Sequence, residues 1–270
     1  MATNDLYQLD ASATAAAIRA GRVSSREVTE AALARMDAVN PAINAVVHRF
    51  DEESLVAADA ADRALRQGLP LGPLHGVPVT TKIDTDLAGH ATTTGLVSMK
   101  DVRVAEDGIS AANLKKAGAV IIGQTNVPAF CYRWFASNDL HGITRNPHDL
   151  TRSPGGSSGG AAASVAAGIG ALAHGNDVAG SLRLPGSVCG VYAMKGTMGL
   201  IPSFNPSQPG EYPIGLQLGA SEGVIARSVR DIRLGMSVLA RPDPRDPDQT
   251  PAPTPTPGQR LPCRVALWLG

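Results

Sequence analysis

The stretch from Ser153 to Gly175, "SPGGSSGGAAASVAAGIGALAHG", limits this chain more than any other. With so few large side chains it cannot form a core by itself, so its use is to let backbone come close to a sheet or to another helix. Two adjacent serines, Ser157 and Ser158, stand between two pairs of glycines at its front. On residue type alone they read as a flexible turn or as chemistry. The remainder, from Gly159 to Gly175, reads as one long helix of small residues.

Around this run the chain alternates helical and strand patterns. "RVSSREVTEAALARMDAVNP" carries a capping box, Ser24 with Glu27, an apolar stripe of Val28, Ala32, Met36 and Val39, and a stop at Asn40-Pro41. "DEESLVAADAADRALRQG" repeats the pattern with Leu55, Ala58, Ala61 and Leu65 and closes on Gly68. Two helices are therefore expected before any strand. "GVPVTTKI" alternates in the manner of a strand, with Lys82 on the face opposite Val77 and Val79. "ISAANLKKAG" followed by "AVIIGQTN" is a helix feeding a strand, the unit of an α/β sheet. With 43% apolar residues in 270, the chain can build a substantial core. Residues 1–240 read as that core. Residues 241–262, "RPDPRDPDQTPAPTPTPGQRLP", read as a proline-rich surface loop or linker. Residues 263–270, "CRVALWLG", read as the start of a further strand of the same domain, so the natural chain is expected to continue.

Several function classes are disfavoured. Lysine and arginine total 24 and aspartate and glutamate 24, so no basic excess draws the chain to nucleic acid or to a membrane surface. Cys131, Cys189 and Cys263 are scattered and lack C-x-x-C spacing, which suggests neither a disulfide framework nor a zinc site. The opening "MATNDLYQLD" has no leader pattern, and no apolar run reaches the roughly 18 residues of a spanning helix. A soluble, cytoplasmic protein is expected.

Both Ser157 and Ser158 satisfy G-x-S-x-G, but that elbow needs an acid and then a histidine downstream, and the only later histidine is His174, sixteen residues on. A phosphate loop lacks its Gly-Lys-Ser/Thr. A second constellation, "GNDVAGSLRLPGSVCG", places Ser181 after Val178-Ala179-Gly180, small residues whose backbone N–H groups can converge on one point as an oxyanion hole requires. Without a usable histidine, a serine nucleophile needs another base, and a desolvated lysine is the common choice. Lys82 is the best placed, whereas Lys100, Lys115 and Lys116 have polar, solvated surroundings.

Taken together, "GVPVTTKID", "GAVIIGQTNVPAF", "RNPHDLTRSPGGSSGGAAASVAAG" and "GNDVAGSLRLPGSVCGVYAMKGTMGLIP" resemble the amidase signature enzymes in order and spacing. The likeness runs from the "GRVSSREV" helix to "GVIARSVRDI". It implies a mixed β-sheet core flanked by α-helices on both sides, and hydrolysis of an amide-type C–N bond through an acyl-enzyme. Residue by residue it implies Ser181 as nucleophile, Ser157 as a bridging cis-serine after a non-proline cis Gly156-Ser157 bond, and Lys82 as base. Ser158 would support the site, and the N–H groups of Val178, Ala179, Gly180 and Ser181 would form the oxyanion hole. No metal or organic cofactor is implied. The partner would be a small-molecule amide or carbamate, with a urethane hydrolase and a glutamine-dependent tRNA amidotransferase A-type subunit as alternatives, and a homodimer is left open. Asp177 and Arg183 form an ion pair beside the nucleophile or stand as two solvated charges. Lys82 must be neutral to take a proton, and moving it from about 10.4 to a working value of about 7.5 requires roughly 4 kcal/mol, which burial beside hydroxyls would supply. Departures from the family pattern are Ala179 where glycine is common, Ile83 after the lysine, Gln124 in a usual lysine position and Gly196 after Lys195.

Overall fold

The structure, a computed structural model, describes residues 3–208 and 213–250. The rest of the proline-rich stretch and the strand expected over 263–270, with Cys263, lie outside the described residues. A 3-10 turn leads into α1 (Ala11–Arg19), α2 (Ser25–Ile43), β1 (Val46–Arg49) and α3 (Asp51–Arg66). Next come β2 (Pro78–Lys82), α4 (Ile109–Lys116), β3 (Val120–Thr125) and a small hairpin of β4 (Ser137–Asn138) and β5 (Gly142–Ile143). The remainder is α5 (Gly159–Ala166), β6 (Leu172–Asp177), α6 (Arg183–Val188), β7 (Tyr192–Lys195), α7 (Ile214–Gln217), β8 (Ser221–Ala226) and α8 (Val229–Leu239).

Six strands form one mixed sheet in the order β1-β3-β2-β6-β8-β7. β2 pairs in parallel with β3 on one side and β6 on the other, while β1, β7 and β8 run antiparallel to their neighbours. Period-two alternation divides the strand residues between two helical layers. Val120 and Ile122 of β3 face Ala32 and Met36 of α2, Ala58 of α3 and Ala163 of α5. Ile121, Val79 of β2, Leu172 of β6 and Val224 of β8 pack with Ala15 of α1, Leu114 of α4 and Met236 of α8. Because both faces are covered, all five residues of β2 are buried, Lys82 included. The alternation expected for this strand is present in direction but not in exposure.

The structure corrects three expectations. The helix from Ser25 keeps its capping box but runs past Pro41 to Ile43, ending on Asn44 in the left-handed region. Asn40 ends it from the side, its amide reaching the carbonyl of Val46 and its oxygen the N–H groups of Ala45 and Val46. Strand β1 intervenes before α3, and at four residues it is too short to show a period. The small-residue run is not one helix: α5 stops at Ala166, Gly168 and Gly170 take φ of +83° and +74°, and the chain re-enters the sheet as β6. Residues 241–250 form a loop tied back to the body through Asp246 to Ser203 and Thr250 to Gly199.

Candidate active site

Three segments meet at the C-terminal end of β2. Lys82 is the last residue of that strand and is 0% exposed. Its Nζ donates to Ser157 Oγ at 2.8 Å and to Asn176 Oδ1 at 2.5 Å, and lies 3.3 Å from Asp84 Oδ2. Ser157 follows a cis peptide bond from Gly156. Gly156 is required by close approach, since a β-carbon there would sit 2.6 Å from the Phe135 nitrogen and 2.8 Å from the Arg133 carbonyl oxygen. The glycine turn thus lies flat on the backbone of residues 133–135, and Ser158, fully buried, begins α5.

Ser181 comes from the loop after β6. The Ser158 N–H donates to its carbonyl at 3.1 Å, which ties the two serine segments together, and Ser158 Oγ donates to the Asn176 carbonyl at 3.3 Å. Ser181 is 9% exposed, and among the described residues its hydroxyl makes no hydrogen bond, to Ser157 or otherwise.

Asp177, the last residue of β6, organises that loop. Its buried carboxylate accepts from the N–H groups of Gly180 at 2.7 Å, Leu182 at 2.9 Å and Arg183 at 3.3 Å, and is gripped by the Arg183 guanidinium at 2.9 and 3.0 Å. Asp177 and Arg183 are therefore an ion pair. Burial opposes the charge of Asp177, but Arg183 and the backbone donors outweigh it and hold the carboxyl well below the usual carboxylate range. One expectation narrows here. The Gly180 N–H is engaged with Asp177, at a φ of +111° that suits glycine, so it is unavailable to a ligand, whereas those of Val178, Ala179 and Ser181 have no acceptor among the described residues.

The profile of the Amidase family matches residues 27–268. The chain belongs to the amidase family. Among similar proteins are an indoleacetamide hydrolase of Bradyrhizobium diazoefficiens, 48% identical over 262 residues, and an acylamidase of Rhodococcus erythropolis, 42% identical over 249 residues. The first match covers 97% of this chain and 50% of the relative, the second 92% and 50%. A solved structure of 6-aminohexanoate cyclic dimer hydrolase complexed with substrate is 37% identical, with a TM-score of 0.83 over 93% of this chain and 50% of that one. The chain thus spans about half the length of the curated relatives it matches.

Within this member of the amidase family the structure adds residues that sequence reading overlooked. Asp84 follows Lys82 by two, and a turn closed by the Thr85 N–H on the Lys82 carbonyl at 3.0 Å folds it back over the ammonium. Asn176 bridges the two, accepting from Lys82 and donating to Asp84 Oδ2 at 2.8 Å. Cys131 Sγ donates to the same oxygen at 3.3 Å, and burial pushes this thiol up to about 12. The expectation that burial beside hydroxyls would lower Lys82 does not take this carboxylate into account. Burial works against both charges, yet Asp84 holds Lys82 above the ordinary lysine value and Lys82 holds Asp84 below the usual carboxylate range. The Lys-x-Asp spacing was visible in the sequence, but not the turn that makes it matter.

Among the described residues Lys100, Lys115, Lys116 and His174 make no hydrogen bond or ion pair with Lys82, Ser157 or Ser181. Lys115 pairs with Asp107 at 2.8 Å, Lys100 and Lys116 are exposed, and His174 is buried against Glu222 at 2.7 Å. A cavity of about 410 Å³ between α3 and the start of β3 is lined by none of the site residues. Among the described residues no helix is long and apolar enough to cross a membrane, and no group of three His, Cys, Asp or Glu is placed to hold a metal.

Proposed function

We propose that this chain carries the catalytic centre of a serine hydrolase that cleaves amide-type C–N bonds through an acyl-enzyme, with Ser181 as nucleophile, Ser157 as proton bridge and Lys82 as base. The single observation that carries this reading is the buried contact of 2.8 Å between Lys82 Nζ and Ser157 Oγ, beside a Ser181 whose carbonyl is fixed by the Ser158 N–H. Lys82 in its neutral form takes the Ser157 proton as Ser157 takes that of Ser181, and Ser181 Oγ attacks the substrate carbonyl. The oxyanion meets the free N–H groups of Val178, Ala179 and Ser181. The proton returns through Ser157 to the departing nitrogen, and water then releases the acid.

Phe130, Tyr132 and Trp134 are exposed apolar side chains on the loop whose backbone packs against the glycine turn. Those side chains, and the similarity to an indoleacetamide hydrolase and an acylamidase, favour amides with a hydrophobic or aromatic acyl group. The test is hydrolysis of a matched arylacetamide, anilide and aryl carbamate by wild type, Ser181→Ala and Lys82→Ala. Turnover of the amides, abolished in both variants, supports the reading. An active Ser181→Ala protein removes the nucleophile, and preference for the carbamate makes the enzyme a urethane hydrolase.

A further inference from the structure

Lys82 has three acceptors for three ammonium protons: Ser157 Oγ at 2.8 Å, Asn176 Oδ1 at 2.5 Å and Asp84 Oδ2 at 3.3 Å. A neutral amine has two protons and a lone pair, and it fits this nest only when the Ser157 hydroxyl turns to donate to that lone pair, leaving Asn176 and Asp84 to accept. Between the two forms, the buried Asp84 carboxylate 3.3 Å from Nζ favours the charged one. Asp84 is 6% exposed and its Oδ1 has no partner among the described residues, so its charge is compensated mainly through Oδ2, where Lys82, Asn176 and Cys131 converge. A base that must be neutral to act is thus stored in its inactive state.

We propose that Asp84 is a positioning residue that keeps Lys82 charged at rest and so sets the lower pH limit of acylation. This inference rests on the reading of Lys82 as base. One proton must leave Lys82 for bulk water before Ser157 can deliver another, and Asp84 makes that departure unfavourable until the solution is alkaline. The other groups around Lys82 do not replace Asp84 in this role. Ser157 from the glycine turn and Asn176 from β6 are uncharged, and Cys131 is a protonated thiol. Glu222 of β8 also acts on Lys82, but its oxygens are taken by His174 of β6 at 2.7 Å and by Ser203 at 3.0 Å. His174 acts on Asp84 in the same sense as Lys82 and leaves it charged.

The experiment is the pH profile of kcat/KM on an uncharged amide for wild type, Asp84→Asn, Asp84→Glu and Lys82→Ala. In wild type the rate should still be climbing through about pH 8 to 9, as expected for a base held near or above an ordinary lysine value. Asp84→Asn should move this rising limb at least about one pH unit toward acid, the displacement expected on removing an opposite charge within about 4 Å, and Asp84→Glu should return it most of the way. An Asp84→Asn limb that stays in place while the plateau falls would mean that Asp84 is only structural, and overturns the inference. If Asp84→Asn does not fold, wild type alone decides: inactivation by a phosphonate probe that levels off below about pH 7.5 overturns it, and inactivation still rising above that pH supports it. An active Lys82→Ala protein defeats the proposed function itself, an outcome distinct from either.

Discussion

Around Lys82 the site is built from the middle of the sheet, whereas around Ser181 it is built from a loop at the sheet's end. β2 is sandwiched between two parallel neighbours and two helical layers, so Lys82 has no solvent to turn to and every proton of its ammonium meets a protein acceptor. The Ser181 loop starts with exposed Val178 and Ala179 and is organised by the single buried carboxylate of Asp177. Lys82, the proposed base, is thus held by burial, and Ser181, the proposed nucleophile, by hydrogen bonds. The first arrangement fixes charge, and the second leaves N–H groups free to meet a ligand.

The largest effect should come from removing either end of the proton path. Ser181→Ala and Lys82→Ala should each lower kcat/KM roughly 10⁴-fold or more, about equally because the groups act as a unit, as steady-state kinetics would reveal. If Lys82→Ala keeps appreciable activity, the buried half is only a scaffold. Next, Asp177→Ala should destabilise the protein by about 2 to 4 kcal/mol, because three backbone donors lose their acceptor, and should lower kcat as the loop loosens; urea unfolding and kinetics measure both. A depressed carboxyl contributes stability above its unfolded value, about 3.9, and loses it as pH falls through the folded value. The gap between wild type and Asp177→Asn should therefore be constant from about pH 5 upward and shrink only below about pH 4.

Gly156→Ala sharpens the comparison from the glycine turn that joins the halves. Its new methyl group would press on the backbone at Arg133 and Phe135, which cannot swing aside, so about 1 to 3 kcal/mol of stability should be lost along with activity. A variant of normal stability and activity would show that the close approach is dispensable. The smallest effect belongs to Arg183→Ala. The Arg183 side chain is 57% exposed, and Asp177 keeps its backbone donors without it, so the change should stay within about 1 kcal/mol in thermal unfolding.

Much of the fold was legible because it is written locally. The Ser24–Glu27 box, the left-handed Gly68 and the α4–β3 unit follow from caps and periods contained in a dozen residues. The division of the small-residue run was not legible, since alanine and glycine between Ala166 and Leu172 fit a helix until the sheet claims the second half. β1 shows the same limit, as four residues carry no readable period. In the site, the residue types and order of Lys82, Ser157 and Ser181 were readable, whereas the crowding at Gly156 was not, since residues 133–135 meet it only in the fold. The engagement of the Gly180 N–H and the fold-back of Asp84 depend on turn geometry, which a spacing does not specify.

By itself the sequence determined which side chains bring chemistry and where backbone must come close, because hydroxyls, an amine and missing β-carbons are properties of single residues. Only the tertiary structure decided that Lys82 and Ser157, 75 residues apart, are hydrogen-bonded, and that Asp84 lies beside them. Electrostatic interaction depends on distance and on exclusion of water, and neither exists along the chain until the sheet and its two helical layers have closed around it.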